Sequence, residues 1–127
     1  MMRLGAQTLD LIIATCEKRL NKAKITWAED HAVTIVMATK GYPVNYHKGS
    51  EIGGLENVAE NSTQMIFHAG TKIQSNQLVA IGGRVLNITT RNDTLAEAQH
   101  NAYKIIENIK WPDGFYRKDI GWRALKG

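Results

Sequence analysis

The residues of this chain best suited to chemistry lie near its end, in Tyr116-Arg117-Lys118-Asp119-Ile120-Gly121-Trp122-Arg123. Arg117, Lys118 and Arg123 can give charge-assisted hydrogen bonds to a phosphate, the arginines through a bidentate fork and the lysine as a point charge. Asp119 can orient one of these cations or simply neutralise it. Tyr116 and Trp122 supply apolar anchors, so the segment is expected to be ordered against a core. The same residue types also suit a solvated surface beside packed aromatics. Residue type alone leaves both readings open.

A second candidate is Phe67-His68-Ala69-Gly70-Thr71. A strand running into small residues lets a ligand or another backbone approach closely, and His68 and Thr71 both offer hydrogen bonds there. The competing reading is a bulge or tight bend with a satisfied histidine. No catalytic set emerges elsewhere. His31, His47, His68 and His100 lack the spacing of a helical metal pair, and there is no HExxH, GxSxG, Walker loop or GxGxxG. No residue is put forward as catalytic or as a metal ligand. Cys16 falls among apolar residues at helical spacing and is expected to be a small buried hydrophobe.

The elements that must position these residues follow from periodicity. Leu9, Ile12, Ile13, Cys16 and Leu20 form one stripe and predict a helix over Thr8 to Leu20, followed by a polar connection to Asp30. His31 to Ala38, Gln64 to His68, Gln77 to Ala80 and Arg84 to Thr90 read as strands, with Gly82-Gly83 as a hairpin turn between the last two. Thr94 and Glu97 form a T-x-x-E capping box. The helix it opens buries Leu95, Ala98, Ala102, Ile105, Ile106 and Ile109, and Trp111-Pro112 ends it. Asp113 to Gly127 shows no clear period. Helix, antiparallel strands, helix and basic tail make an α+β arrangement.

Composition bounds the class. With 127 residues, 43% hydrophobic and 22% charged, the chain is one globular domain rather than a disordered segment. No apolar run approaches the roughly 20 residues of a membrane span, and no secretory signal is visible. A single cysteine excludes an internal disulfide, so a reducing, cytoplasmic setting is expected. Three of the four net positive charges fall from Lys104 onward, which suits a phosphorylated small molecule or an RNA backbone, or a merely solvated tail.

Taken in order, GYP (Gly41 to Pro43), Lys48-Gly49 with Ile52, Gly54 and Leu55, FHAGT (Phe67 to Thr71), GGRVL (Gly82 to Leu86), DTLAEA (Asp93 to Ala98) and YRKDIG (Tyr116 to Gly121) with Trp122 resemble the C-terminal domain of the phosphoribosylamine–glycine ligases (glycinamide ribonucleotide synthetases). Met1 to Leu4 and the following helix resemble the tail end of that family's ATP-grasp region. The resemblance implies a division at residues 1–30 and 31–127, with Met1 an internal or artificial start. It also implies a small curved antiparallel sheet of the biotin-carboxylase C-terminal, barrel-sandwich type, with a helix packed on it.

The resemblance implies ATP-dependent joining of glycine to 5-phosphoribosylamine in purine synthesis, through phosphorylation of the glycine carboxylate. ATP and magnesium would be bound by parts of the family's fold that this chain lacks, so the chain alone is expected to be inactive. By analogy with related ATP-grasp enzymes, Arg117 and Lys118 would hold the ribose 5-phosphate. Lys118 stands where some members have arginine, and gives up the bidentate fork. His68 and Thr71 would face the same cleft and position substrate. Two other functions compete: a stand-alone basic module meeting RNA, and a structural cap that completes the cleft without touching substrate. The tail lacks the exposed aromatics of an RNA-binding sheet, so no specific nucleic acid and no membrane are expected as partners.

Overall fold

In a computed structural model describing residues 2–126, alternation in the longest strands builds the core. β1 (His31–Thr39) pairs antiparallel with β6 (Arg84–Asn92), aligning Val33 with Thr90, Ile35 with Ile88 and Met37 with Leu86. Residues directly opposite share a face, and this face is buried. α2 (Leu95–Asn108) lies against it, contributing Ala98, Ala102, Ile105 and Ile106, with Ile109 buried just beyond its end. The two alanines are fully buried, which lets the helix backbone approach the sheet closely. Each fully buried isoleucine or leucine of this layer contributes roughly 1.5–3 kcal/mol of transfer free energy.

β3 (Gln64–His68) and β7 (Gly114–Phe115) flank this pair, giving the order β3-β6-β1-β7. A second sheet of order β2-β5-β4 comprises β2 (Ser50–Glu51), β4 (Thr71–Gln74) and β5 (Gln77–Ala80). Its Ala80, together with neighbouring Ile52, joins the same core. Trp111, buried beyond α2, donates from Nε1 to Ser50 Oγ at 2.9 Å and ties the sheets together. The arrangement is α+β and antiparallel throughout, as expected. The barrel-sandwich expectation is corrected: among the described residues both sheets are open and neither closes into a barrel.

The capping box is present, with a difference in wiring. Thr94 Oγ1 accepts from the Glu97 amide (3.2 Å), while its hydroxyl donates to the Glu97 carboxylate (2.9 Å). The helix ends at Asn108, before Trp111-Pro112.

Three other expectations are corrected. Gly82-Gly83 is not a hairpin turn, because β5 and β6 belong to different sheets. The hairpin joins β4 to β5 through Ser75 and Asn76, both at positive φ (49° and 65°), the backbone twist that two-residue turns favour. The first helix, α1 (Gln7–Cys16), stops four residues short of Leu20, where Lys18 turns left-handed (φ 56°) and the Arg19 amide bonds back to Ala14. Cys16 is exposed rather than buried. Only Ala14 of α1 is buried, and Leu9, Ile12 and Ile13 face solvent because α1 packs on little beyond the following turn.

The polar connection is tied down. Gln7 exchanges hydrogen bonds with the Thr26 backbone, and Arg3 donates to Ala28 O. At the end of β6, Arg91 donates to Asp30 Oδ2 (2.5 Å) and to Met2 O (2.8 Å). The segment Asp113 to Lys126 is more regular than its lack of period suggested. It holds β7 and a one-turn helix, α3 (Trp122–Leu125).

Candidate functional site

Pairing of Gly114 and Phe115 with Thr39 and Ala38 delivers the chain onto the flank of α2. There one phenol fixes the following loop from two sides. Tyr103 Oη donates to Arg117 O (2.9 Å) and accepts from the Ile120 amide (3.1 Å). Gln99, one helical turn earlier, donates to Ile120 O, and the Tyr103 and Tyr116 rings pack with centroids 6.0 Å apart. Residues four apart on a helix share a face, so Gln99 and Tyr103 act as a two-point clamp. Sequence reading missed both, although their spacing beside the buried stripe was the available signal.

The clamp holds the backbone and leaves the cations in water. Arg117 donates from Nε and Nη2 to the two oxygens of Asp119 (2.9 and 2.7 Å), with side chains 68% and 51% exposed. That fork, and then the opposite charge, holds the Asp119 carboxyl below its ordinary range and raises Arg117 above its own. Asp119 therefore orients Arg117 and partly neutralises it. Lys118 is exposed and has no side-chain partner among the described residues. Arg123 and Lys126 each lie 5.4 Å from the Trp122 ring centroid, a cation–π arrangement. An open cavity of about 390 Å³ is lined by Arg117, Asp119, Trp122 and Arg123.

His68 ends β3 with its Nδ1 3.1 Å from Thr71 Oγ1, across the turn into β4. The two expected partners thus meet each other. They do not meet Arg117 and Lys118: β3 and β7 are opposite edges of the four-stranded sheet, three strand spacings or roughly 14 Å apart. The cavity beside Arg117 is lined by neither His68 nor Thr71. Nor does any group of three or more His, Cys, Asp or Glu side chains converge among the described residues.

The fold and the loop define an α+β domain with a clamped cationic segment on the flank of its longest helix. Residues 32–123 match the family described as phosphoribosylglycinamide synthetase, C domain, and the chain belongs to that family. Among similar proteins, the phosphoribosylamine–glycine ligase of Brucella melitensis is 47% identical over 99% of this chain and 30% of its own length. The Escherichia coli K12 ligase is 42% identical over 99% of this chain and 29% of its own. The chloroplastic ligase of Arabidopsis thaliana is 43% identical over 99% and 24%. The crystal structure of the Thermotoga maritima phosphoribosylamine–glycine ligase superposes with a TM-score of 0.69 at 29% identity, covering 88% of this chain and 28% of that one. The chain thus spans less than a third of the length of these relatives.

Proposed function

We propose that this chain serves as the C-terminal domain of an ATP-dependent ligase joining glycine to 5-phosphoribosylamine, and that Arg117 and Lys118 hold the ribose 5-phosphate. The observation carrying this reading is the clamped loop. Tyr103 and Gln99 fix its backbone and Asp119 holds the Arg117 guanidinium, so that cation loses little freedom on meeting an anion. Asp119 occupies one edge of the Arg117 fork and leaves Nη1 free to donate outward. Lys118 adds an adjacent point charge.

Three parts of the reading extend beyond that loop. Residues 1–30 belong to the end of the ATP-grasp region and residues 31–127 to the C-terminal domain. ATP and magnesium are handled by the remaining two-thirds of the ligase, and none of the chemistry is assigned to residues of this chain. His68 and Thr71, held together at the other sheet edge, contact a different part of the substrate or its neighbouring domain. The setting is cytoplasmic, in keeping with a lone exposed cysteine. No helix is long and apolar enough to cross a membrane.

Steady-state kinetics of the ligase carrying this domain provide the test. Arg117→Ala is expected to raise KM for phosphoribosylamine roughly ten- to hundredfold, as for loss of a charge-assisted hydrogen bond, with KM for ATP little changed. An unchanged KM for phosphoribosylamine would leave the domain as a structural cap.

A further inference from the structure

A bulge in the central strand pair places one arginine in a setting unlike any other in the chain. Met37 pairs with Leu86, but Ala38 pairs with Arg84, leaving Val85 as the extra residue. Without the bulge Ala38 would face Val85, and Arg84 would share the face covered by α2. With it, Arg84 stands on the face of Ala38, which is also the face of the Val36–Asn87 pair. Bulges commonly re-aim a side chain in this way. Here the effect is to bring Arg84 and Asn87 to the same side of the sheet, opposite the helix.

Together they line a cavity of about 440 Å³ with Val36, Tyr42, Ala69 and Gly83, within the range of small-molecule sites of about 300–1,000 Å³. Its frame is built from close approaches of glycine backbone to an aromatic ring and to other backbone. A Cβ on Gly83 would lie 2.0 Å from Tyr42 Cδ2, and one on Gly70 would lie 2.7 Å from Gly82 Cα. Three segments distant in sequence, Gly41 to Pro43, Phe67 to Thr71 and Gly82 to Leu86, converge there.

The polar lining is rich in donors and holds no acid. Arg3, Arg19, Arg91 and Arg117 each hydrogen-bond a carbonyl or carboxylate, and Arg123 lies over an indole ring. Arg84 alone among the arginines has no such partner among the described residues, and it is exposed. The Tyr42 hydroxyl is also unpartnered there. Asn87 spends one amide hydrogen on a long bond to Phe67 O (3.4 Å) and keeps the other. No Asp or Glu lines the cavity.

We propose that this cavity is a second anion subsite, taking a phosphate ester or a carboxylate on the Arg84 fork, with Asn87 and Tyr42 as additional donors. The proposal rests on the substrate-binding reading of the domain and extends it to a second position, separate from Arg117 and Lys118. Arginine and an uncharged carboxamide suit planar recognition of either oxyanion.

The test is a titration of the ¹⁵N-labelled 127-residue chain with inorganic phosphate, ribose 5-phosphate and glycine, each against sodium chloride at matched ionic strength. Saturable shifts of the Gly83 amide, the Arg84 Nε–H and the Asn87 side-chain amide are expected. Phosphate and ribose 5-phosphate acting there would identify an ester site, and glycine a carboxylate site. Arg84→Gln should weaken this binding at least tenfold, Arg84→Lys should fall between, and Arg117→Gln should leave it unchanged. Circular dichroism confirms that each variant is folded.

Equal shifts with chloride would mean an adventitious ion only, and would overturn the proposal. So would shifts that persist in Arg84→Gln. Shifts confined to Arg117 and Lys118 would overturn it while leaving the proposed function standing. The absence of saturable shifts at both places would count against both.

Discussion

Gly70→Ala measures how much stability the crossing of the Phe67–Thr71 and Gly82–Leu86 segments contributes. An added methyl would meet Gly82 Cα at 2.7 Å, Arg84 O at 2.8 Å and Gly82 N at 2.9 Å. All three are backbone atoms and cannot swing aside. Relief requires the segments to separate by roughly half an ångström or more, since such carbon contacts normally sit near 3.5–4.0 Å. That separation would stretch Gly70 N–H to Arg84 O (3.1 Å) and Ile81 N–H to Gly70 O (2.8 Å). Overpacking costs about 1–3 kcal/mol, and each weakened hydrogen bond up to about 1 kcal/mol net. Alanine's smaller unfolded-state entropy offsets about 0.4–1 kcal/mol. The balance is about 2 kcal/mol of destabilisation, roughly a thirtyfold change in the folding constant.

Urea denaturation with a slope of about 2 kcal/mol per molar should therefore show a midpoint lowered by about 1 M. The matched control is Gly53→Ala, where a Cβ would meet only Lys110 Cβ at an ordinary 3.9 Å. That variant should be neutral or slightly stabilised. A Gly70→Ala midpoint within about 0.2 M of the parent, with an unchanged slope, would refute the claim that this crossing is rigid.

Two further predictions concern the helix cap and the N-terminal tie. Thr94→Ala removes the side-chain acceptor of the Glu97 amide and should cost about 1 kcal/mol, seen as a fall in Tm of roughly 3–6 °C. Asp30 is held below its ordinary 3.8 by its hydrogen bond from Arg91, so its contribution is complete above the unfolded-state pKa and is lost as pH falls from there through the lower folded value. Asp30→Asn should flatten the acid limb of stability against pH, and an acid limb identical to the parent's would show that the pair is not linked to folding.

The parts of the fold legible in the sequence are those specified locally. Thr94 and Glu97 announce α2 because a cap is completed within four residues, and the β-branched and apolar content of His31 to Ala38 and Arg84 to Thr90 marks the two longest strands. The hairpin was misplaced because Gly82-Gly83 carries the stronger turn signal, whereas Ser75-Asn76 adopts positive φ without glycine. The glycines at 70, 82 and 83 serve a crossing between distant segments, which no local window reveals. Periodicity grouped Cys16 with Leu9 and Ile12 without disclosing what, if anything, covers that face. In the tail, Arg117 and Lys118 were found by residue type, and Asp119 was named as a possible orienter. Gln99 and Tyr103 passed unnoticed because their partners are backbone groups 21 and 14 residues away.

The Arg91 junction has a mechanical consequence. One guanidinium grips both Met2 and Asp30, so the connection leading into β1 and the start of the described chain are pinned to the same end of β6. A displacement of residues 2–30 cannot be absorbed as slack before it reaches the sheet. It arrives as torque on the end of β6, where the chain runs directly into the helix that clamps the tail.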